Sequence, residues 1–561
     1  MNERHPPRRT RRAPSAAAVA VFTVVLAVLA VGGRDVGITR DEGVYMEAGR
    51  RYGAWVARLV RDPRGALADR DRAFAFNWEH PDLLKTAFGV SARLFAQPPV
   101  AGADGPHDRG GLVPLLPESA AMRLPAQVIA AFGAALLCFV AARRSSVVAG
   151  VVAAGAFVLL PRVHFHAHLA AFDVPVAVAI LVVVLCYLRA LSDPRALPAL
   201  AVALGLAIGV KLNALFVGPV LYLHYLAVLA RQVLRDGVRL RLGLVFPAWT
   251  WAAALGGPLV GLALWPWLWR APFERFAAFV RFHAAHPWYN MEYFGQNYNL
   301  PPLPVSYPFV MTAVTVPATV LVLGIAGLWL GLRDDRRAAA ADVPHSGPTF
   351  FVPVPDRHGR REGLLYAMSA LWPLVLIAWP TVPIFGGTKH WFPAYPFLAL
   401  GAARAFAALV AGLPPLWRAA AACAALAPAA LTTASGHPFG LSQYTALTGG
   451  ARGAARLGFG RGFWGHAVVP LLGSLPERGR IYPHDLHELA RRTYVREGRW
   501  PEDLVPAPPA RADLALYFPE RHMTTHEIDV WNAFGHARPT DVLSLHDVPV
   551  CLRYDRGPQD P

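Results

Sequence analysis

"SSVVAGVVAAGAFVLLPRVHFHAHLAAFDVPVAVAILVVVLCYLRA" (residues 145–190) decides the fold class. Residues 145–161 carry no charge, and 174–190 carry only Arg189. Between them lies a short polar stretch with an arginine, three histidines and an aspartate. A helix that crosses about 30 Å of hydrocarbon needs about 20 mainly apolar residues. The stretch therefore reads as one apolar run out of a membrane, a polar turn, and a second run back.

Working outward, similar runs cover 15–33, 122–142, 244–266, 307–331, 364–380, 391–410 and 416–433. Residues 197–230 hold one lysine or arginine, Lys211. That length is too long for one span, so two short helices meeting at "GVKLNA" (209–214) are expected. The total is roughly ten or eleven spans. Of the 561 residues, 55% are hydrophobic and 16% charged, against about 25% charged in a soluble globular chain. The fold class is an all-α polytopic membrane protein of about 11 transmembrane helices, with outer-face loop helices and a small mixed C-terminal domain. A soluble enzyme with an anchor is excluded.

The net charge of +17 is carried mainly by arginine between apolar runs. That placement points to membrane orientation and anionic headgroups, and away from nucleic acid. Cys138, Cys186 and Cys423 lie in apolar runs and Cys551 near the end, with no spacing for a disulfide framework or a zinc site. Arg4, Arg8, Arg9, Arg11 and Arg12 precede the first run against one acid, Glu3. They put 1–14 in the cytoplasm as a basic tail. The run 15–33 is long enough to remain as an uncleaved helix.

Alternation of the runs then makes 15–433 the transmembrane domain. It places loops 34–120 and 267–306 outside, 332–363 inside, and 434–561 outside as a C-terminal domain. Within the first loop, 43–60 and 82–96 read as amphipathic helices.

Under this topology the costly polar groups gather on one side: Asp41, Glu42, His80, Lys85, Arg123, Arg162, His164, His166, His168, Asp173, Lys211, Arg270, Lys389 and His390. Charge near the hydrocarbon normally faces a cavity, pairs, or does chemistry. Each group has a plainer reading. Asp41 and Glu42 suit a helix N-terminus, "FNWEHPDLLK" (76–85) suits a turn and helix start, and Lys211 can snorkel. Lys389 and His390 can anchor an interface beside Trp391. His164, His166 and His168 alternate in a way that invites a metal, but on a helix they face different ways. No metal is assigned and no cofactor is indicated.

Taken together, Lys85, Arg123, Arg162, Lys211 and Lys389 would form a cationic pocket for a phosphate whose tail lies in the bilayer. A nearby carboxylate would take a proton from an acceptor hydroxyl as the phosphate leaves. Asp41 is the first candidate, with Glu42 and Asp173 as further catalytic acids. If the stretch is helical, Glu42 points about 100° away from Asp41, so its replacement is expected to cost less activity. His80, His166 and His390 are candidate substrate-binding residues. Trp78, Trp265, Trp267, Trp269, Trp288 and Tyr289 would stack on sugar or form the interfacial belt.

Seven segments carry a resemblance: "RDEGVYMEAGRRY" (40–52), "EHPDLLK" (79–85), "MRLPAQ" (122–127), "HAHLAAFDVP" (166–175), "GLAIGVKLNALF" (205–216), "FGGTKHWFPAYPFLALGAA" (385–403) and "HPFGLSQYTALTGGARGAARLGFGRGFWG" (437–465). In that order they resemble the GT-C class of membrane glycosyltransferases, the superfamily of protein O-mannosyltransferases and lipid A aminoarabinose transferases. The resemblance implies inverting transfer from a polyprenyl-phosphate sugar to a protein, lipid or glycan acceptor. It implies that this happens on the outer face of the plasma (inner) membrane. It also implies Asp41 as the first-loop acid with Glu42 beside it, Lys85 and the later basic residues at the donor phosphate, and Asp173 as a second acid. The sequence departs at Asp82, where the family often has a second proline, and at Arg461, where related chains often carry an acid. Two other readings stay open: a multi-pass transporter, and a lipid-binding protein without catalysis.

Overall fold

A computed structural model describes residues 8–101, 110–236, 239–341 and 361–557. The chain is mainly helical, and its apolar runs become helices that pack side by side. Six are long and apolar enough to cross a membrane: Arg12–Gly32, Glu118–Arg144, Asp173–Ala190, Leu212–Leu234, Gly387–Leu409 and Pro415–Gly436. The pair Val147–Val158 and Pro161–Ala167, bent by 78°, makes a seventh if counted as one span. The remaining expected spans are the shorter helices Pro194–Val210, Ala248–Ala263 and Glu362–Ile377 and the interrupted pair Tyr307–Thr315 and Ala318–Ala341. Length and composition thus support a multi-pass membrane protein, while a count of eleven also needs the short and broken helices.

The breaks have local causes. Pro161 lacks an N–H and opens a new short helix at its N-terminus, so the histidines sit on a separate element from the run before them. Lys211 is in an extended conformation between Leu197–Val210 and Val217–Asp236, the break expected at "GVKLNA". A proline at 317 separates Tyr307–Thr315 from Ala318–Ala341.

Both amphipathic segments of the first loop are helices, Arg40–Arg61 and Leu83–Phe95. They cross where glycines meet: a Cβ on Gly89 would lie 1.8 Å from the Gly49 carbonyl oxygen. Only a bare backbone fits that crossing.

After Gly436 the chain builds a five-stranded sheet in the order Asp503–Pro506, Arg478–Tyr482, Leu514–Tyr517, Val548–Asp555, Asp541–Leu545. The first three strands are parallel and the last two join antiparallel. This part clasps the first loop. Tyr494 Oη accepts the Ile38 N–H at 2.7 Å, Arg50 donates to Thr493 Oγ1 at 2.9 Å, and Arg40 pairs with Asp485. At the opposite end of the bundle, Arg144 pairs with Glu362 at 2.6 Å and Arg404 with Asp334. Residues 1–7 of the expected basic tail, and 342–360 of the expected inner loop, lie outside the described residues.

Candidate functional site

The first loop, the 267–306 segment, the break at Lys211, the "FGGTKHW" turn and the segment after Gly436 enclose one cavity of about 950 Å³ at one end of the bundle. Its first wall starts from a helix cap. Thr39 caps Arg40–Arg61 in a reciprocal capping box: Thr39 Oγ1 accepts the Glu42 N–H, and Glu42 Oε2 accepts the Thr39 N–H, both at 3.3 Å. The cap fixes the directions of two successive carboxylates.

Asp41 lines the cavity. Its Oδ2 accepts a hydrogen bond from Lys389 Nζ at 2.8 Å, and the side chain is 30% exposed. Among the described residues no protein donor reaches its other oxygen. Glu42 turns inward and is fully buried. It takes Arg123 Nε and Nη2 at 2.7 and 2.8 Å, and the Ala170 N–H at 2.8 Å. Arg123 spends its remaining donors on the carbonyls of Gly33, Val36 and Gly37. This corrects the expected placement of both: neither borders the cavity, and each has its hydrogen-bonding capacity filled by protein.

Lys389 is placed by "FGGTKH". Gly386 and Gly387 have φ of +78° and +62°, the left-handed region that favours glycine. A Cβ on Gly386 would strike Lys389 Cε at 2.5 Å. The ammonium also lies 4.3 Å from the centre of the Trp464 ring. Lys211 Nζ reaches the cavity and donates to Asp173 Oδ1 at 2.8 Å. Asp173 sits behind that lysine, with its Oδ2 3.4 Å from His166 Nδ1, so both the acid and His166 lie behind the wall. Arg162 lines the cavity, is 4% exposed, and stacks 5.0 Å from the Tyr444 ring. Its Nε has no hydrogen-bond partner, and among the described residues no carboxylate pairs with it. A buried cation without a counterion is costly unless something anionic enters.

Lys85 is not where the sequence expects it. It is fully buried beneath the wall, with Nζ donating to the carbonyls of Asn77 at 2.5 Å and His80 at 2.8 Å. Asp82, the departure after Pro81, sits 3.7 Å away and accepts the Trp267 N–H. Lys85 thus ties the "FNWEHP" turn together. His80 and His390 do line the cavity. Burial, and then the Lys85 charge, hold His80 well below the usual imidazole range, so it is neutral at neutral pH. His390 is held through Nε2, which donates to the Phe385 carbonyl oxygen. Trp265, Trp267 and Trp78 form a small core with Tyr52 and Phe74, while Tyr289 reaches the cavity.

The sequence reading missed a further set of charged and imidazole groups that line the cavity: Glu292, Asp485, His487, Glu520 and His522. Burial, then the charges of Asp485 and Glu292, push the Glu520 carboxyl well above its usual range. Tyr444 and Trp464 lie within the segment 437–465 and were visible as aromatics there. The acids stand in ordinary soluble-looking sequence, where nothing marks them.

No family model and no curated protein matches the sequence. Among solved structures, the chain is similar to ArnT from Cupriavidus metallidurans in the apo state, at 16% identity and TM-score 0.46, over 96% of this chain and 99% of that one. The same protein bound to undecaprenyl phosphate gives 16% identity and TM-score 0.44 over 96% and 99%. The Archaeoglobus fulgidus oligosaccharyltransferase in the apo form gives 11% identity and TM-score 0.44, over 93% of this chain and 72% of that one. Likeness at these identities and scores identifies neither family nor activity.

Proposed function

We propose that the protein is an integral membrane glycosyltransferase, moving a sugar from a polyprenyl-phosphate donor to a polar acceptor with inversion. The observation that carries this reading is the buried Arg162, which has no carboxylate partner among the described residues, in a cavity that also holds Lys211, Lys389 and the partly exposed Asp41. Arg162 supplies a fork for phosphate oxygens, and the two ammonium groups add charge beside it. Leu215 and Phe216, exposed at the cavity rim, provide an apolar surface for a lipid tail. Asp41 then stands where an acceptor hydroxyl meets the anomeric carbon. The hydroxyl oxygen bonds to that carbon, its proton goes to Asp41, and the sugar–phosphate bond breaks to leave the lipid phosphate.

Detergent-purified protein given radiolabelled polyprenyl-phosphate sugars and a set of acceptors tests the reading. Turnover is the expected result. Donor binding without turnover would favour the lipid-binding reading, and substrate uptake into vesicles the transporter.

Arg162→Ala and Lys211→Ala are each expected to raise the donor concentration at half-maximal turnover by about ten- to a hundredfold, the loss of one charge-assisted hydrogen bond at about 1.5–3 kcal/mol. Lys85→Met should act instead by lowering the melting temperature. Unchanged donor dependence in both cavity variants would remove the phosphate from this site.

The reading also puts the cavity outside the cell, with 1–14 and 332–363 inside. In a background lacking the four native cysteines, a membrane-impermeant thiol reagent should label Glu502→Cys but not Arg337→Cys in intact cells. The reverse pattern would invert the topology.

A further inference from the structure

Away from the cavity, three histidines from two distant parts of the chain meet at the end of the first helix. His164 and His168 lie one helical turn apart, and His437 follows the helix Pro415–Gly436. One ring nitrogen from each lies within 4.8 Å of the other two. From this convergence we propose a divalent transition-metal site, with zinc the best fit, ligated by His164, His168 and His437 and closed by Asp35.

Four observations carry it. First, the i, i+4 spacing puts His164 and His168 on one face, with ring centres 4.7 Å apart, while His166 turns away toward Asp173. The alternation that argued against a metal concerned all three histidines of the stretch; two of them and His437 are enough. Second, His168 Nδ1 lies 2.8 Å from the His164 carbonyl oxygen. A carbonyl only accepts, so that nitrogen carries the proton and Nε2 keeps its lone pair. This outer hydrogen bond is the usual companion of a metal-bound histidine. Third, His168 Nε2 is buried and has no hydrogen-bond partner. Fourth, the space it faces is kept open by glycine. A Cβ on Gly32 would lie 2.9 Å from His168 Nε2 and 3.6 Å from His437 Nε2, so both nitrogens look onto the same gap.

Asp35 Oδ2 is 3.6 Å from His437 Nε2 and largely exposed. It offers a fourth, anionic ligand and a path of entry from solvent. Imidazole nitrogens with one carboxylate suit zinc, at about 2.0–2.2 Å from each donor in a tetrahedron. In such a tetrahedron the donor atoms lie about 3.3–3.6 Å apart, so the histidine nitrogens, within 4.8 Å of one another, must draw together and the exposed Asp35 must swing in from beside His437. With all four positions taken by protein, the site is structural in character. It fastens the end of the first helix, just before the short link to Asp41, to the histidine turn and to the segment that supplies Tyr444 and Trp464.

Tag-free protein, stripped with a chelator in detergent, should bind one equivalent of cobalt with the intense visible bands of a four-coordinate ion, and zinc should displace it. His437→Gln should abolish the bands and the rise in melting temperature that zinc produces, while its metal-free melting temperature stays that of the metal-free wild type. Asp35→Asn, an exposed change, should weaken binding by about tenfold or more, and it decides the matter if His437→Gln does not fold. Absence of saturable binding, or binding unaltered by these variants, would overturn the site.

Discussion

Asp41→Asn protein should fold, keep its cavity and bind donor, yet transfer sugar about 10²–10⁴-fold more slowly than wild type. An acceptor hydroxyl is a poor nucleophile and must lose its proton as the sugar–phosphate bond breaks. On the cavity wall, Asp41 combines partial exposure with a fixed start: the Thr39 cap sets its backbone, and Lys389 holds one oxygen at 2.8 Å. The second oxygen is left for the acceptor. Asparagine preserves volume and can still bond to Lys389 through its amide oxygen, but it has no basic lone pair to take a proton. The loss should therefore fall on kcat, with donor binding nearly unchanged. Because Lys389 positions the base, Lys389→Met should lower kcat too, and it should also weaken donor binding, a split that Asp41→Asn lacks. Turnover by Asp41→Asn within about threefold of wild type, below the usual general-base range, would move the base elsewhere. Asp173 would be a poor replacement, since Lys211 and His166 already face its two oxygens from behind the wall. Glu520 and Asp485, which also line the cavity, would be the acids to test next.

The helical class was legible because hydrocarbon demands long apolar runs, and nearly every such run is a helix in the structure. The gathering of Asp41, Arg162, Lys211 and Lys389 was legible too, since each interrupts or ends an apolar run where a charge is expensive. Which of those charges face the cavity was not. Glu42 and Arg123 lie 81 residues apart in sequence and neutralise each other, and nothing local to either reveals the partner. Lys85 illustrates the same limit. Beside Asp82 and the Tyr52 hydroxyl, its shortest hydrogen bonds go to backbone carbonyls of a turn, and carbonyls are present at every residue, so sequence carries no mark of where they converge. The acidic wall escaped for a different reason. Glu292, Asp485, Glu520 and His522 stand in stretches of sequence that do not read as membrane runs, so the argument from the cost of a charge in hydrocarbon is silent there, although the fold then buries Glu520. The histidines show the same limit: the i, i+4 spacing of His164 and His168 is visible in the sequence, but that His437, far along the chain, meets them is not.

That hidden pairing gives the largest expected effect on stability. Glu42→Gln should lower the stability of the folded protein by about 3–5 kcal/mol, because it leaves the Arg123 charge buried without its counterion. The sequence alone ranks this change as the milder of the two neighbours, by activity. The structure reverses the ranking by stability: Asp41 sits at a partly open surface, whereas Glu42 and Arg123 are 0% and 2% exposed. Three things fail together at position 42. The bidentate ion pair goes, the reciprocal half of the helix cap weakens, and the Ala170 N–H, which Glu42 Oε1 accepts at 2.8 Å, faces a weaker acceptor or an amide donor. The first loop is thereby loosened from the histidine turn, so surviving protein should also turn over more slowly with Asp41 intact. Replacing the pair outright, as Glu42→Leu with Arg123→Met, removes the stranded charge and should recover part of the loss. It cannot recover all of it, because the carbonyls of Gly33, Val36 and Gly37 lose the donors that Arg123 provides. A cycle of the two single variants and the double, read by unfolding in detergent, should therefore show a coupling larger than the Arg123→Met effect alone but smaller than the sum of the two single effects. A Glu42→Gln protein that melts at the wild-type temperature would mean that the pair is solvated and that Glu42 is free to meet substrate after all.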